Sequence, residues 1–187
     1  MRNENKNKLE NLLSAMTLEE KVGQMFQVGF TGIEVTSGIK EMIEDYYVGG
    51  IIYFKRNIKS LEQISNLSNE LQILSRNKRI GLPLLMSTDQ EGGMVNRLTG
   101  GTHFPGNMVL GAARKSSLAE KAGRAVARQI KAVGINMNFA PVLDQVLPGI
   151  TTFLVIYDYS PFNLKVASEI IAGRYKAREV LPVTLKI

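Results

Sequence analysis

Two residues of opposite charge, Asp89 and Arg97, flank a Gly92-Gly93 pair in the segment Ser87-Thr88-Asp89-Gln90-Glu91-Gly92-Gly93-Met94-Val95-Asn96-Arg97. A carboxylate accepts hydrogen bonds and a guanidinium donates them, so the two converging on one cleft suit a polyhydroxylated ligand. The same pair could instead do no more than pin its loop, and spacing alone leaves both readings open. Glu91 and Asp144 are the other carboxylates near such a cleft. Glu91 reads as structural; Asp144 is either a pocket residue or the closing residue of its strand. His103 is the only histidine and there is no cysteine, so no ligand cluster for a metal is expected and no cofactor is called for.

The elements that would position these groups alternate. Thr17-Leu18-Glu19-Glu20 fits a capping box and starts a short helix, which leads into the apolar run Met25 to Phe30. Residues 36 to 47 read as a helix ended by Gly49-Gly50, and Ile51 to Phe54 as a short buried strand. Leu61, Ile64, Leu67, Leu71 and Leu74 recur at helical spacing, Leu82 to Met86 is a third strand, and the segment from Ser87 to Gly93 is a polar turn. A long loop then precedes a basic helix of about 116 to 133, stopped by Gly134 before a fourth strand, Ile135 to Ala140. Four strands separated by helices predict parallel βαβ units. In such folds reactive and binding side chains gather beyond the C-terminal ends of the strands, which selects Asp89 and Glu91 after the third and Asp144 after the fourth.

Composition narrows the class of protein. The hydrophobic fraction of 44% and charged fraction of 21% are those of an ordinary globular domain. The longest apolar runs are too short to span a bilayer, so no membrane partner is expected. Much of the +6 charge comes from Lys121, Arg124, Arg128 and Lys131, spaced along one helix face opposite Leu118, Ala122, Val126 and Ile130. That is a solvated amphipathic face, and without interleaved aromatics it does not point to nucleic acid. The polar start MRNENKNKLENLL does not resemble a signal peptide, which makes the cytoplasm the default expectation.

The order of residues adds a resemblance. Asp89-Gln90-Glu91-Gly92-Gly93-Met94-Val95-Asn96-Arg97 resembles the D-Q-E-G-G-x-V-x-R segment of the bacterial β-N-acetylglucosaminidases of glycoside hydrolase family 3. Four further segments match in order: Glu19 to Met25, Gly49 to Phe54, Phe104 to Met108 with Leu110-Gly111-Ala112, and Gly134 to Asp144. The resemblance implies an α/β fold taken from a (β/α)8 barrel, here about four βα units over 1–145. It implies hydrolysis of terminal β-linked N-acetylglucosamine as the family reaction, for instance on cell-wall muropeptides. The residues matching Asp89 and Arg97 would hold hydroxyls of the terminal sugar.

The same resemblance implies a shortfall. Family members place a nucleophilic aspartate late in the barrel and a histidine–aspartate pair on a loop after the fifth strand. Thr102-His103-Phe104-Pro105-Gly106 looks superficially like that histidine segment, but it comes before the fourth strand and has neither a preceding lysine nor a second histidine. His103 therefore reads as an ordinary loop residue, and no catalytic residue is assigned. The alternatives are a residual sugar-binding module using Asp89 and Arg97; Asp89 with Asp144 as a makeshift catalytic pair, against which the sugar-binding role implied for Asp89 argues; and a small doubly wound phosphate-binding fold, for which no strand is followed by G-x-G-x-x-G or a P-loop. Beyond a junction at 146–150, residues 151–187 resemble the last strands and helix of a C-terminal α/β domain, with a β-rich run from Thr151 to Tyr157, a helix over 162–173 and a strand from Leu181 to Leu185. Four strands cannot close a barrel that ordinarily takes about 250 residues, so low stability or self-association through open edges is expected. The expected partner is an N-acetylglucosamine-containing saccharide, bound weakly by a partial pocket.

Overall fold

The computed structural model describes residues 2–140. Asp144, the junction and the tail segments lie outside the described residues. In chain order the elements are α1 (Arg2–Ala15), α2 (Leu18–Gly23), β1 (Gln27–Val28), α3 (Ser37–Glu44), β2 (Gly50–Tyr53), a 3-10 turn (Lys55–Asn57), α4 (Leu61–Arg76), β3 (Leu85–Thr88), α5 (Asn107–Ala112), α6 (Ser116–Ala132) and β4 (Met137–Asn138). The strands form one sheet in the order β1-β2-β3-β4, every pair parallel, with helices in the connections. The expected α/β architecture is thus present in the described residues.

Local chemistry accounts for the helix starts. Thr17 Oγ1 accepts from the Glu20 amide (3.2 Å) while Glu20 Oε2 accepts from the Thr17 amide (2.8 Å), the reciprocal box read from the sequence. Thr36 and Ser60 cap α3 and α4 through the Ile39 and Gln63 amides. Gly134, at φ +82°, ends α6 in the left-handed region, and a Cβ there would come within 2.8 Å of Ser68 Cβ on α4. A glycine is needed at that position for both reasons.

Strand register sorts the core. Val28 pairs with Ile51, Ile51 with Met86 and Tyr53 with Thr88, so these side chains share one face of the sheet, and all are buried. That face packs against α4, which contributes Ile64, Leu67 and Leu71; α3 adds Ile39, Met42 and Ile43 alongside α4. Burying each such aliphatic side chain contributes roughly 1.5–3 kcal/mol. The opposite face carries Gln27, Gly50, Ile52, Leu85 and Ser87, and there Leu85 stands 52% exposed. Among the described residues the core therefore lies on the helix side of the sheet.

Several elements differ from expectation: the helix expected over 36 to 47 is Ser37–Glu44, and the fourth strand, expected from Ile135 to Ala140, is Met137–Asn138. The third strand runs from Leu85 to Thr88 rather than from Leu82 to Met86, taking in two residues read as turn. Ser87 and Thr88 tolerate full burial because their hydroxyls donate to carbonyls of the neighbouring strand, Ser87 to Ile51 O (3.3 Å) and Thr88 to Tyr53 O (3.1 Å). The loop before α6 contains the short helix α5. On α4 the inner face is completed by Ser68 and Ser75 rather than by Leu61 and Leu74. Ser75 Oγ donates to Leu82 O (2.6 Å), and Ser68 Oγ to Ile64 O (2.8 Å).

Candidate functional site

Asp89 leaves the C-terminal end of β3 directly, and its position continues the Leu85–Ser87 side of the strand, away from the helices. Arg97 returns to it from the far arm of a tight loop. Arg97 Nη2 lies 3.4 Å from Asp89 Oδ2, with both side chains about a quarter exposed (27% and 22%). A close guanidinium–carboxylate pair sits near 2.7–2.9 Å, so this one is loose. Arg97 Nε is buried and makes no hydrogen bond among the described residues. The site thus sets carboxylate acceptors on one side against a partly exposed guanidinium on the other.

What holds the loop is a neutral side chain. Gln90, 2% exposed, accepts from the backbone amides of Arg97 (2.8 Å) and Leu98 (3.3 Å) through Oε1, and its Nε2 donates to Asn96 Oδ1. Its own backbone is held from β4: Asn138 Oδ1 accepts from Gln90 N (2.9 Å) and Asn138 Nδ2 donates to Gln90 O (3.0 Å). Asn136 makes the same two-point contact with β3 near its N-terminal end, accepting from Met86 N (2.9 Å) and donating to Leu84 O (3.1 Å). Sequence reasoning passed over Gln90, Asn136 and Asn138. The alternation of Asn136 with Asn138 beside an edge strand was the available signal.

The loop's turn needs glycine. Gly92 sits at φ +85°, and a Cβ there would meet Pro105 O at 2.7 Å and Phe104 O at 2.8 Å. Glu91 N and Gly92 N both donate to Val95 O, and Gly93 N donates to Phe104 O (2.8 Å), which ties the turn to the segment before α5. Glu91 Oε2 accepts from Asn107 Nδ2 (3.3 Å) at the start of α5, in keeping with a structural role. His103 is exposed in the same segment. A groove of about 380 Å³ beside α6 is lined by Gln90 and Glu91 with Phe104, Leu110, Val126 and Ile130, but not by Asp89 or Arg97. Asp89 and Arg97 are therefore brought together, and Asp144 lies outside the described residues. Among those residues no group of His, Asp or Glu side chains could hold a metal ion.

A parallel α/β sheet with a carboxylate and a guanidinium beyond the end of its third strand has the layout of the α/β proteins that bind or react at their strand ends. Residues 17–146 match the glycosyl hydrolase family 3 N-terminal domain, and the chain belongs to that family. Among curated relatives it is 38% identical to the β-hexosaminidase A of Pseudoalteromonas piscicida over 111 residues, 57% of this chain and 19% of that protein. It is 35% identical to the β-hexosaminidase of Neisseria gonorrhoeae over 118 residues, covering 59% and 31% respectively. The chain thus spans well under half the length of these relatives. A solved family 3 β-N-acetylglucosaminidase from Paenibacillus sp. str. FPU-7 superposes with a TM-score of 0.66 at 48% identity, covering 68% of this chain and 24% of that one. NagZ from Neisseria gonorrhoeae, solved with N-trifluoroacetyl-D-glucosamine, gives 0.56 at 32% identity over 63% and 36%.

Proposed function

We propose that residues 17–140 form the sugar-holding part of a β-N-acetylhexosaminidase-like barrel wall, with Asp89 and Arg97 gripping hydroxyls of a terminal N-acetylglucosamine. Four parallel strands in chain order, each crossover carrying helix, are half of the eight that such a barrel uses. The observation that carries the reading is the looseness of the Asp89–Arg97 pair beside a loop already fixed by Gln90. A pair needed to pin the loop would be close and would complete the arginine's hydrogen bonds. This one leaves the Nη2–Oδ2 contact open at 3.4 Å between two partly exposed groups, which suits a hydroxyl arriving between them.

The family reaction needs a nucleophile and an acid/base on opposite sides of the glycosidic bond. The resemblance assigns neither to a position of this sequence, so these 187 residues alone are expected to bind rather than to cleave. The test has two arms. Nuclear magnetic resonance titration with N-acetylglucosamine should shift the signals of Asp89 and Arg97 in the millimolar range, roughly 4 kcal/mol of binding. A chromogenic β-N-acetylglucosaminide should show no turnover. Silence of both residues at saturating sugar defeats the binding reading, and turnover abolished by Asp89→Ala defeats the non-catalytic one.

A further inference from the structure

We infer that Gln90, held in turn by Asn138, is the positioning residue that sets Arg97 against Asp89; the inference rests on the sugar-binding reading above and deepens it. Asp89 is fixed by β3 because it follows the strand without a break. Arg97 has no such support, since it lies eight positions on, across a glycine turn whose own bonds reach only to Val95 and Phe104. Among the described residues, the backbone of the loop's far arm is tied back to the strand end by the Gln90 carboxamide, whose oxygen takes two successive amides, those of Arg97 and Leu98.

The residue type follows from the demand. A buried side chain must accept from two N–H groups and donate to Asn96 Oδ1 at once, without bringing a charge beside Asp89. A carboxamide does this; a carboxylate has no proton for Asn96, and an apolar chain leaves two buried amides unpaired. Asn138 then makes the arrangement depend on β4. Its carboxamide engages both backbone groups of Gln90, in the manner of one more peptide unit added to the ladder after Phe139 N donates to Thr88 O (2.9 Å). The fourth strand is therefore part of the sugar site without touching sugar: it fixes Gln90, and Gln90 fixes Arg97.

Asn136 supplies the internal control. It makes the same pair of bonds to β3, but to Leu84 and Met86, at the end of the strand remote from the loop. Three variants of the full chain, Gln90→Met, Asn138→Leu and Asn136→Leu, are compared at a temperature where each is folded. Gln90→Met should weaken N-acetylglucosamine binding by about tenfold or more, and Asn138→Leu by severalfold. Asn136→Leu should lower Tm as much as Asn138→Leu and leave the affinity unchanged. A second readout needs no sugar. In Gln90→Met the Arg97 and Leu98 amides should exchange with solvent at least about tenfold faster, and the Arg97 Nε–Hε resonance should move while that of Arg79 does not. If wild type ignores the sugar but these ligand-free changes appear, the binding reading falls and the brace stands. If exchange and resonance are unmoved, or if Asn136→Leu weakens binding as much as Asn138→Leu, the inference is overturned.

Discussion

The buried pair formed by Tyr53 and Ser68 gives a stability prediction whose sign depends on which partner is removed. Ser68 Oγ donates to Ile64 O at 2.8 Å, which uses its single proton, so the 3.2 Å contact with Tyr53 must have the phenol as donor. Tyr53 is fully buried, its phenol pushed well above its usual pKa by that burial, and Ser68 is its hydrogen-bond partner. In Tyr53→Phe the serine keeps its own bond and loses only an incoming one, at a cost of about 0.5–1.5 kcal/mol. Ser68→Ala leaves a phenolic proton without a partner where water does not reach, costing about 1–3 kcal/mol. The gain in helix propensity from serine to alanine offsets roughly 0.5 kcal/mol of this. The double variant removes both polar groups and should be more stable than Ser68→Ala alone by about 1 kcal/mol, because no orphaned donor remains. Urea denaturation of wild type, the two single variants and the double variant measures each step, and the propensity change cancels between Ser68→Ala and the double variant. A double variant whose cost equals or exceeds the sum of the single ones refutes the assignment of the phenol as donor.

Two further outcomes can be stated. Gly92→Ala must hold a left-handed backbone at about 1–2 kcal/mol and push away two carbonyl oxygens within 3 Å, so denaturation should show a loss of about 2–4 kcal/mol; a loss below about 0.5 kcal/mol would mean that the turn is not built as described. The Glu20 carboxyl is held below its ordinary value of 4.5 by the Thr17 amide first and by Arg79 as well, against the opposing effect of burial. A folded-state pKa below the unfolded one stabilises above the unfolded value and is lost as pH falls through the folded one. The Tm advantage of wild type over Glu20→Gln should therefore be full near neutrality and shrink below about pH 4.5. A gap that stays constant or widens on acidification contradicts this linkage.

Legibility in the sequence followed the strength of each local signal. The capping box at Thr17, the helices α4 and α6 and the strand expected from Ile51 to Phe54 are statements about neighbours; the structure carries the box and the helices, sets the strand at Gly50–Tyr53, and buries Ile64, Leu67 and Leu71 of α4 and Val126 and Ile130 of α6 while leaving Leu61 and Leu118 exposed. Ser87 and Thr88 were misread because hydroxyls look like turn formers until the adjacent strand supplies carbonyls for them. The N-terminal helix α1 has charge on every side and so no periodicity to detect. At the candidate site, the strand-end rule pointed to Asp89 and the spacing across the glycine pair to Arg97, and the two lie 3.4 Å apart. Gln90 stayed hidden between two carboxylates, since its importance comes from burial and from an asparagine 48 positions away. Long-range amide pairing leaves no spacing to read.

The loop that carries Arg97 is fastened by carboxamides and peptide groups, none of which titrates near neutrality or attracts counterions. Added salt would screen the partly exposed Asp89–Arg97 attraction, whose range falls to about 3 Å at molar ionic strength, yet it would leave the fastening untouched. On the proposed reading, a grip on an uncharged sugar should persist in brines that dissolve an ionic clasp, and urea, which competes for peptide and carboxamide hydrogen bonds, would loosen the loop sooner than sodium chloride.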